Sequence, residues 1–220
     1  MATSLALFGD RREAGRRLAA ELGKLALDDP LVLALPRGGV PVAFEVARAL
    51  DAQLDLLIVR KIGAPGHEEF GIGAVVDGAD PQCVMNNDIV RMIRPDPDRV
   101  RIEIDRQLAE LERRRRAYLG DAEPVSVTGR SVIVVDDGIA TGGTVKAALM
   151  AIRRNDPAEL ILAVPVAPPD SLAALAPLCD RIVCPYRPDP FYAVGVHYRD
   201  FRQVDDAEVI DLFTRSRRAG

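Results

Sequence analysis

Val132-Ile133-Val134-Val135-Asp136-Asp137-Gly138-Ile139-Ala140-Thr141-Gly142-Gly143-Thr144 decides how the chain is read. Four β-branched residues in a row, followed by two carboxylates, predict a short strand buried on both faces of a parallel sheet. From Thr144 the spacing changes: Val145, Leu149 and Ile152, with Ala147, Ala148 and Ala151 between them, follow a helical period to about Arg154. The stretch is therefore strand, loop, helix, and its loop lies at the carboxyl end of a parallel strand, where open α/β sheets place their ligands.

The loop's chemistry follows from its residue types. Gly142 and Gly143 let the backbone come close to a ligand, and the hydroxyls of Thr141 and Thr144 stand beside the unpaired N–H groups of a helix start. An anion fits there, a phosphate best: each charge-assisted hydrogen bond contributes about 1.5–3 kcal/mol, and the helix end about 0.3–1 more. Asp136 and Asp137 would repel a bare phosphate. They are read instead as partners for sugar hydroxyls, or for Mg²⁺ held through water. No Gly-Lys-Ser/Thr follows the glycines and no Gly-x-Gly-x-x-Gly follows a strand, which excludes a Walker loop and a dinucleotide fingerprint.

The apolar strand, two acids, three residues and Thr-Gly-Gly-Thr resemble the phosphoribosyl diphosphate (PRPP) motif of type I phosphoribosyltransferases. The resemblance implies a mostly parallel α/β sheet flanked by helices with a small C-terminal hood. It implies Mg²⁺-dependent transfer of phosphoribose from PRPP to a purine-like base or another small nitrogen nucleophile, with release of pyrophosphate. PRPP would place its 5′-phosphate on Ala140, Thr141, Gly142, Gly143 and Thr144, and its ribose hydroxyls on Asp136 and Asp137.

Outward from the motif, strands and helices alternate. A helix is predicted over 12–27, a strand over 31–35, a helix over 41–50 and a strand over 54–59. Between the strand over 31–35 and the helix over 41–50 sits Arg37-Gly38-Gly39, a glycine turn beside a guanidinium. Read alone it is equally an ordinary tight turn; one βα unit upstream of the motif, it resembles the loop that holds pyrophosphate. Arg60-Lys61 then opens a stretch rich in breakers and charge, containing Glu68 and Glu69, before Gly73-Ala74-Val75-Val76 resumes a strand. It reads as a solvated hairpin or as a closing lid, and it resembles the family's flexible catalytic loop, with Arg60 and Lys61 at its mouth. A long helix is expected over 98–118, a strand over 160–166, a helix over 170–178, a strand over 181–184 and a last helix over 207–217. This rhythm implies right-handed βαβ crossovers.

The rhythm breaks after Cys184. The expected organisation is a core over 1–184 and, within the same domain, a hood segment and C-terminal helix over 185–220. Half of the ten aromatic residues gather there: Tyr186, Phe191, Tyr192, Tyr198 and Phe201. They serve either to close an edge of the core or as a platform for a planar acceptor. The segment from Phe191 and Tyr192 through Val194 to Gly195 resembles the hood that stacks on purines in 6-oxopurine enzymes. Those enzymes place an acid just before the Thr-Gly; here that residue is Ala140, as in adenine enzymes, which use a loop glutamate. Glu68 or Glu69 would fill that role, and the acceptor stays open. As a whole the chain most resembles bacterial phosphoribosyltransferase-like proteins. A PRPP-binding regulator and a PRPP hydrolase are the alternatives.

Composition bounds the partners. The net charge of −4 argues against a nucleic-acid or membrane-surface binder, and the arginines at 113–116 read as a solvated helix end. Three dispersed cysteines, without a Cys-x-x-Cys, read as reduced thiols in a cytoplasmic protein. Residues 1–10 are short and soon charged, unlike a signal peptide, and no apolar run approaches the roughly 20 residues of a membrane span. A homodimer is the default assembly.

Overall fold

The structure, a computed structural model, describes residues 6–219, apart from the side chains at 68, 69 and 219. Residues 1–5 of the segment read against a signal peptide lie outside the described residues. The elements run α1 (Arg11–Leu22), β1 (Pro30–Ala34), α2 (Gly39–Leu50), β2 (Gln53–Leu56), β3 (Val59–Ala64), β4 (His67–Val76), β5 (Gln82–Met85), α3 (Asn87–Ile93) and α4 (Pro97–Leu119). They continue with β6 (Ser131–Val135), α5 (Gly143–Arg153), β7 (Glu159–Ala163), α6 (Pro169–Leu175), β8 (Arg181–Val183) and α7 (Asp206–Ala219).

Five strands form one parallel sheet in the order β2-β1-β6-β7-β8. The two central strands are buried on both faces, as their unbroken apolar runs require. Alternation sends Val32, Ala34, Ile133 and Val135 into the core beneath α1, α2 and α7, and Leu31, Leu33, Val132 and Val134 into the core beneath α5 and α6. From β1 the chain steps to β2 on one side and later returns to β6 on the other. The β1 and β6 loops therefore meet at the topological switch point, which is where the ligand crevice of such a sheet opens.

Three expectations change. The first helix stops at Leu22, five residues early, with Gly23 as its C-cap. The strand expected over 54–59 splits in two: β2 pairs with β1, and after Leu57 and Ile58 the chain enters a separate antiparallel sheet of order β3-β4-β5. The breaker-rich stretch takes its hairpin reading and not that of a flexible lid, because β3 and β4 pair from Val59↔Val76 to Ala64↔His67, with register shifts at Gly63. Only Pro65-Gly66 turns, Gly66 at φ +80°. The sequence reading did not anticipate β5 or α3.

A buried ion triad ties the antiparallel sheet to the long helix. Arg115 of α4 donates to both carboxylate oxygens of Asp55 at 3.0 and 2.9 Å and to Asp77, just past β4, at 2.7 Å. Burial raises the Asp77 carboxyl despite its cationic neighbour. The other arginines of the run beside it are exposed or half-buried; Arg113 and Arg114 pair with Glu110, and Arg116 with Glu112, as a solvated helix face does. Among the described residues no helix is long and apolar enough to cross a membrane. All three cysteines are unpaired, and burial pushes the Cys184 thiol up to about 11.

Candidate functional site

The β6 loop begins the moment the strand leaves the core. Ile139 donates its N–H to the Val166 carbonyl at 3.0 Å, and the Ala140 carbonyl accepts Ser171 Oγ at 2.6 Å, which fixes the loop against the β7–α6 connection. Gly142 then adopts φ +75°, a left-handed backbone open to glycine, and turns the chain into α5. Ala140, Thr141, Gly143 and Thr144 are exposed, and a Cβ on Gly143 would meet nothing within 4 Å. The first-turn N–H groups of α5 have no carbonyl within the helix to bind, so they point their positive end at whatever enters.

The β1 loop presses against the acids. A Cβ on Gly38 would stand 2.2 Å from Asp137 Oδ2, and one on Gly39 would stand 2.8 Å from the Val135 carbonyl oxygen and 2.9 Å from Asp136 Cα. Both glycines are thus required by close approach. Gly39→Ala confronts backbone on both contacts and is expected to destabilise the protein by about 1–3 kcal/mol, read as a fall of about 2–4 °C in Tm per kcal/mol. An unchanged melting curve would mean that the two loops separate freely.

The loop opens into a cleft of about 880 Å³. One wall is Asp136, Gly138 through Thr144 and the first turns of α5, including the exposed Lys146; the other is Val59, Lys61, Gly71, Gly73, Ala74, Val84 and Met85 of the antiparallel sheet. Asn86, Asn87, Asp88 and Arg91 at the start of α3 line its far end. Burial and the neighbouring Asp137 charge hold the Asp136 carboxyl well above the usual range; burial raises Asp137 too, against the opposing pull of Arg11. A cation would relieve both. Among the described residues no three His, Cys, Asp or Glu side chains gather to hold one; the oxygen ligand that Asp136 presents to the cleft is of the kind Mg²⁺ takes when waters and ligand oxygens complete its shell.

The remaining sequence-predicted residues divide. Lys61 reaches the cleft, its stem lying where a Cβ on Gly71 would stand 2.9 Å from Lys61 Cδ. Arg60, its neighbour in β3, points the opposite way and donates to Gln107 of α4 at 3.0 Å. Burial and the nearby Arg114 lower its guanidinium. Glu68 and Glu69 stand in β4, their side chains outside those described. Arg37 turns from the acids towards Asp206 of α7, 3.4 Å away.

In the C-terminal segment, Val194 lines the cleft and lies 2.6 Å from where a Cβ on Gly138 would be. Phe191 stacks on His197 at 5.3 Å and packs with Phe8 and Tyr198 instead of facing the cleft, while Tyr192 is 75% exposed. Sequence reasoning missed Arg11, whose Nε meets Asp137 Oδ2 at 2.7 Å, because nothing in Asp10-Arg11-Arg12 marks a partner 126 positions away.

Comparison with known proteins places these features among relatives. Residues 10–198 match the phosphoribosyl transferase domain family. A solved structure, TT1426 from Thermus thermophilus, is 40% identical, covers 94% of this chain and 98% of its own, and superposes with a TM-score of 0.83. A protein of Mycobacterium tuberculosis strain H37Rv named "Putative phosphoribosyl transferase Rv0571c" is 44% identical over 96% of this chain and 47% of its own length, and its counterpart in strain CDC 1551 matches equally. The chain thus spans about half the length of these curated relatives, 47%.

Proposed function

Because the chain belongs to the phosphoribosyl transferase domain family, we propose that it transfers phosphoribose from PRPP to a small nitrogen nucleophile, releasing pyrophosphate. One observation carries this reading: the exposed glycine–threonine loop, Asp136 and Lys61 line a single cleft at the sheet's switch point. The 5′-phosphate belongs on 140–144, the ribose beside the acids, and the pyrophosphate towards Lys61 and the turn of Arg37, Gly38 and Gly39.

Mg²⁺, held through water at Asp136, the acid that lines the cleft, would offset charge on the diphosphate. The rest falls to the chain. Loop 140–144 fixes the phosphate and so positions the anomeric carbon. As the bond from that carbon to pyrophosphate breaks and the bond from the acceptor nitrogen forms, Lys61 meets the charge that develops on the departing group. Glu68 or Glu69, on the same hairpin, is the carboxylate this reading assigns to the acceptor's proton. Arg60 stands on the helix side of β3, and its place in this scheme is to hold that strand against α4.

A second reading rests on the cleft wall, whose described residues include no aromatic ring on which a base would stack. It favours a non-aromatic acceptor, or water, over a purine, with Val194 in place of Phe191 and Tyr192 as the hood contact. Calorimetric titration of PRPP with Mg²⁺ tests the binding half of the proposal. Saturable binding with Kd in the range of about 1 μM to 1 mM is expected, and no heat above that of dilution would refute it.

A further inference from the structure

The acid pair is built asymmetrically. Asp136 lines the cleft, and its Oδ1 accepts the Asp137 N–H at 2.8 Å. Asp137 turns the other way, its Oδ2 wedged between Arg11 of α1 and the Gly38 turn. Arg11 is itself buried and held on further sides: Nη1 donates to the Arg202 carbonyl at 2.8 Å, and the guanidinium lies over the Phe201 ring, 3.9 Å from its centre. Tyr198, stacked on Phe201 at 5.0 Å, donates its hydroxyl to the Asp137 carbonyl. The first helix, through the carboxylate, and the C-terminal segment, through the backbone carbonyl, thus converge on one residue, Asp137.

We propose that Arg11 gives the two acids different work: it holds Asp137 as an internal anchor that joins α1 and the C-terminal segment to the β6 loop, and it leaves Asp136 alone to meet the ligand. A guanidinium against one of two adjacent carboxylates also halves the negative charge beside the bound sugar phosphate, so an anionic ligand is not turned away. Arg37, the cation of the opposing turn, lies towards Asp206, 3.4 Å away, and not towards Asp137. Arg11 is in these terms a positioning residue. The inference rests on the PRPP reading for its ligand, although the anchor itself does not.

A mutant cycle separates the two. PRPP with Mg²⁺ is titrated calorimetrically into Asp136→Asn, Asp137→Asn, Arg11→Met, Arg11→Lys and the double variant Arg11→Met/Asp137→Asn, and each protein is melted without ligand. Asp136→Asn is expected to weaken PRPP at least about 100-fold and Asp137→Asn no more than about tenfold, because only the first loses a contact to the ligand. Arg11→Met should lose more than Asp137→Asn, since it strands a buried carboxylate beside the site, and Arg11→Lys should retain more than Arg11→Met. Adding Asp137→Asn to Arg11→Met should restore binding to the level of Asp137→Asn and raise the melting temperature above that of Arg11→Met. Loss of packing on Phe201 alone would not be rescued in this way. Equal losses for the two aspartates, or a double variant no better than Arg11→Met, would overturn the division of work. If the unaltered protein binds no PRPP, the functional reading fails, and the melting half of the cycle still decides the anchor.

Discussion

Replacing Asp136 and Asp137 together by asparagine is expected to weaken PRPP binding by about 10²–10⁴-fold while the circular dichroism spectrum stays that of the unaltered protein. Asparagine keeps the shape of aspartate and can still donate or accept, so the loss reports the charge-assisted contacts alone. The fold should survive because both substitutions keep the side chain's size, although Asp137→Asn leaves the buried Arg11 without its carboxylate and is expected to lower the melting temperature. On the division proposed for Arg11, most of the loss comes from Asp136, the acid that lines the cleft. An unchanged Kd by calorimetry would remove the acids from the site.

Lys61→Ala should act on turnover more than on binding. Lys61 lines the cleft, and Gly71 leaves its stem room to lie across β4. An ammonium aimed at a departing pyrophosphate gains most as that group acquires charge, so kcat should fall by about 10²–10³-fold, the effect of removing one such electrostatic group, while PRPP affinity changes much less. Equal losses in kcat and affinity would make Lys61 a ground-state anchor. Arg60→Ala is the natural comparison, since its side chain lies against Gln107 on the far side of the same strand.

The parts of the molecule that were legible are those whose signal is local. A β-branched run, two acids, glycines and a helical period between 132 and 154 yielded β6, the exposed loop and α5 nearly to the residue, because each element is specified by its own neighbours. The extent of the antiparallel sheet was masked by Gly63 and Gly71, residues depleted from strands, so that a hairpin and a lid stayed open. Gly71 and Gly73 are tolerated in β4 because Lys61, the Val84 carbonyl and the Met85 sulfur occupy the space that side chains would need. The hairpin has a consequence for the site: in a lid Arg60 and Lys61 could act together, whereas in β3 they must diverge. The aromatic cluster could be counted from sequence but not aimed, and Phe191 aims inward. The Arg11–Asp137 pair joins the start of α1 to the end of β6, 126 positions apart, a contact that no window of sequence contains.

Pyrophosphate release from PRPP distinguishes transfer from hydrolysis and from binding alone. The unaltered protein is incubated with PRPP and Mg²⁺, alone and with each of a panel of purine, pyrimidine and simple amine acceptors, and pyrophosphate is followed with time. Release is expected to require one acceptor and to yield its phosphoribosyl product. Release at the same rate without any acceptor would contradict transfer in favour of hydrolysis, and PRPP binding with no release under any condition would contradict catalysis itself.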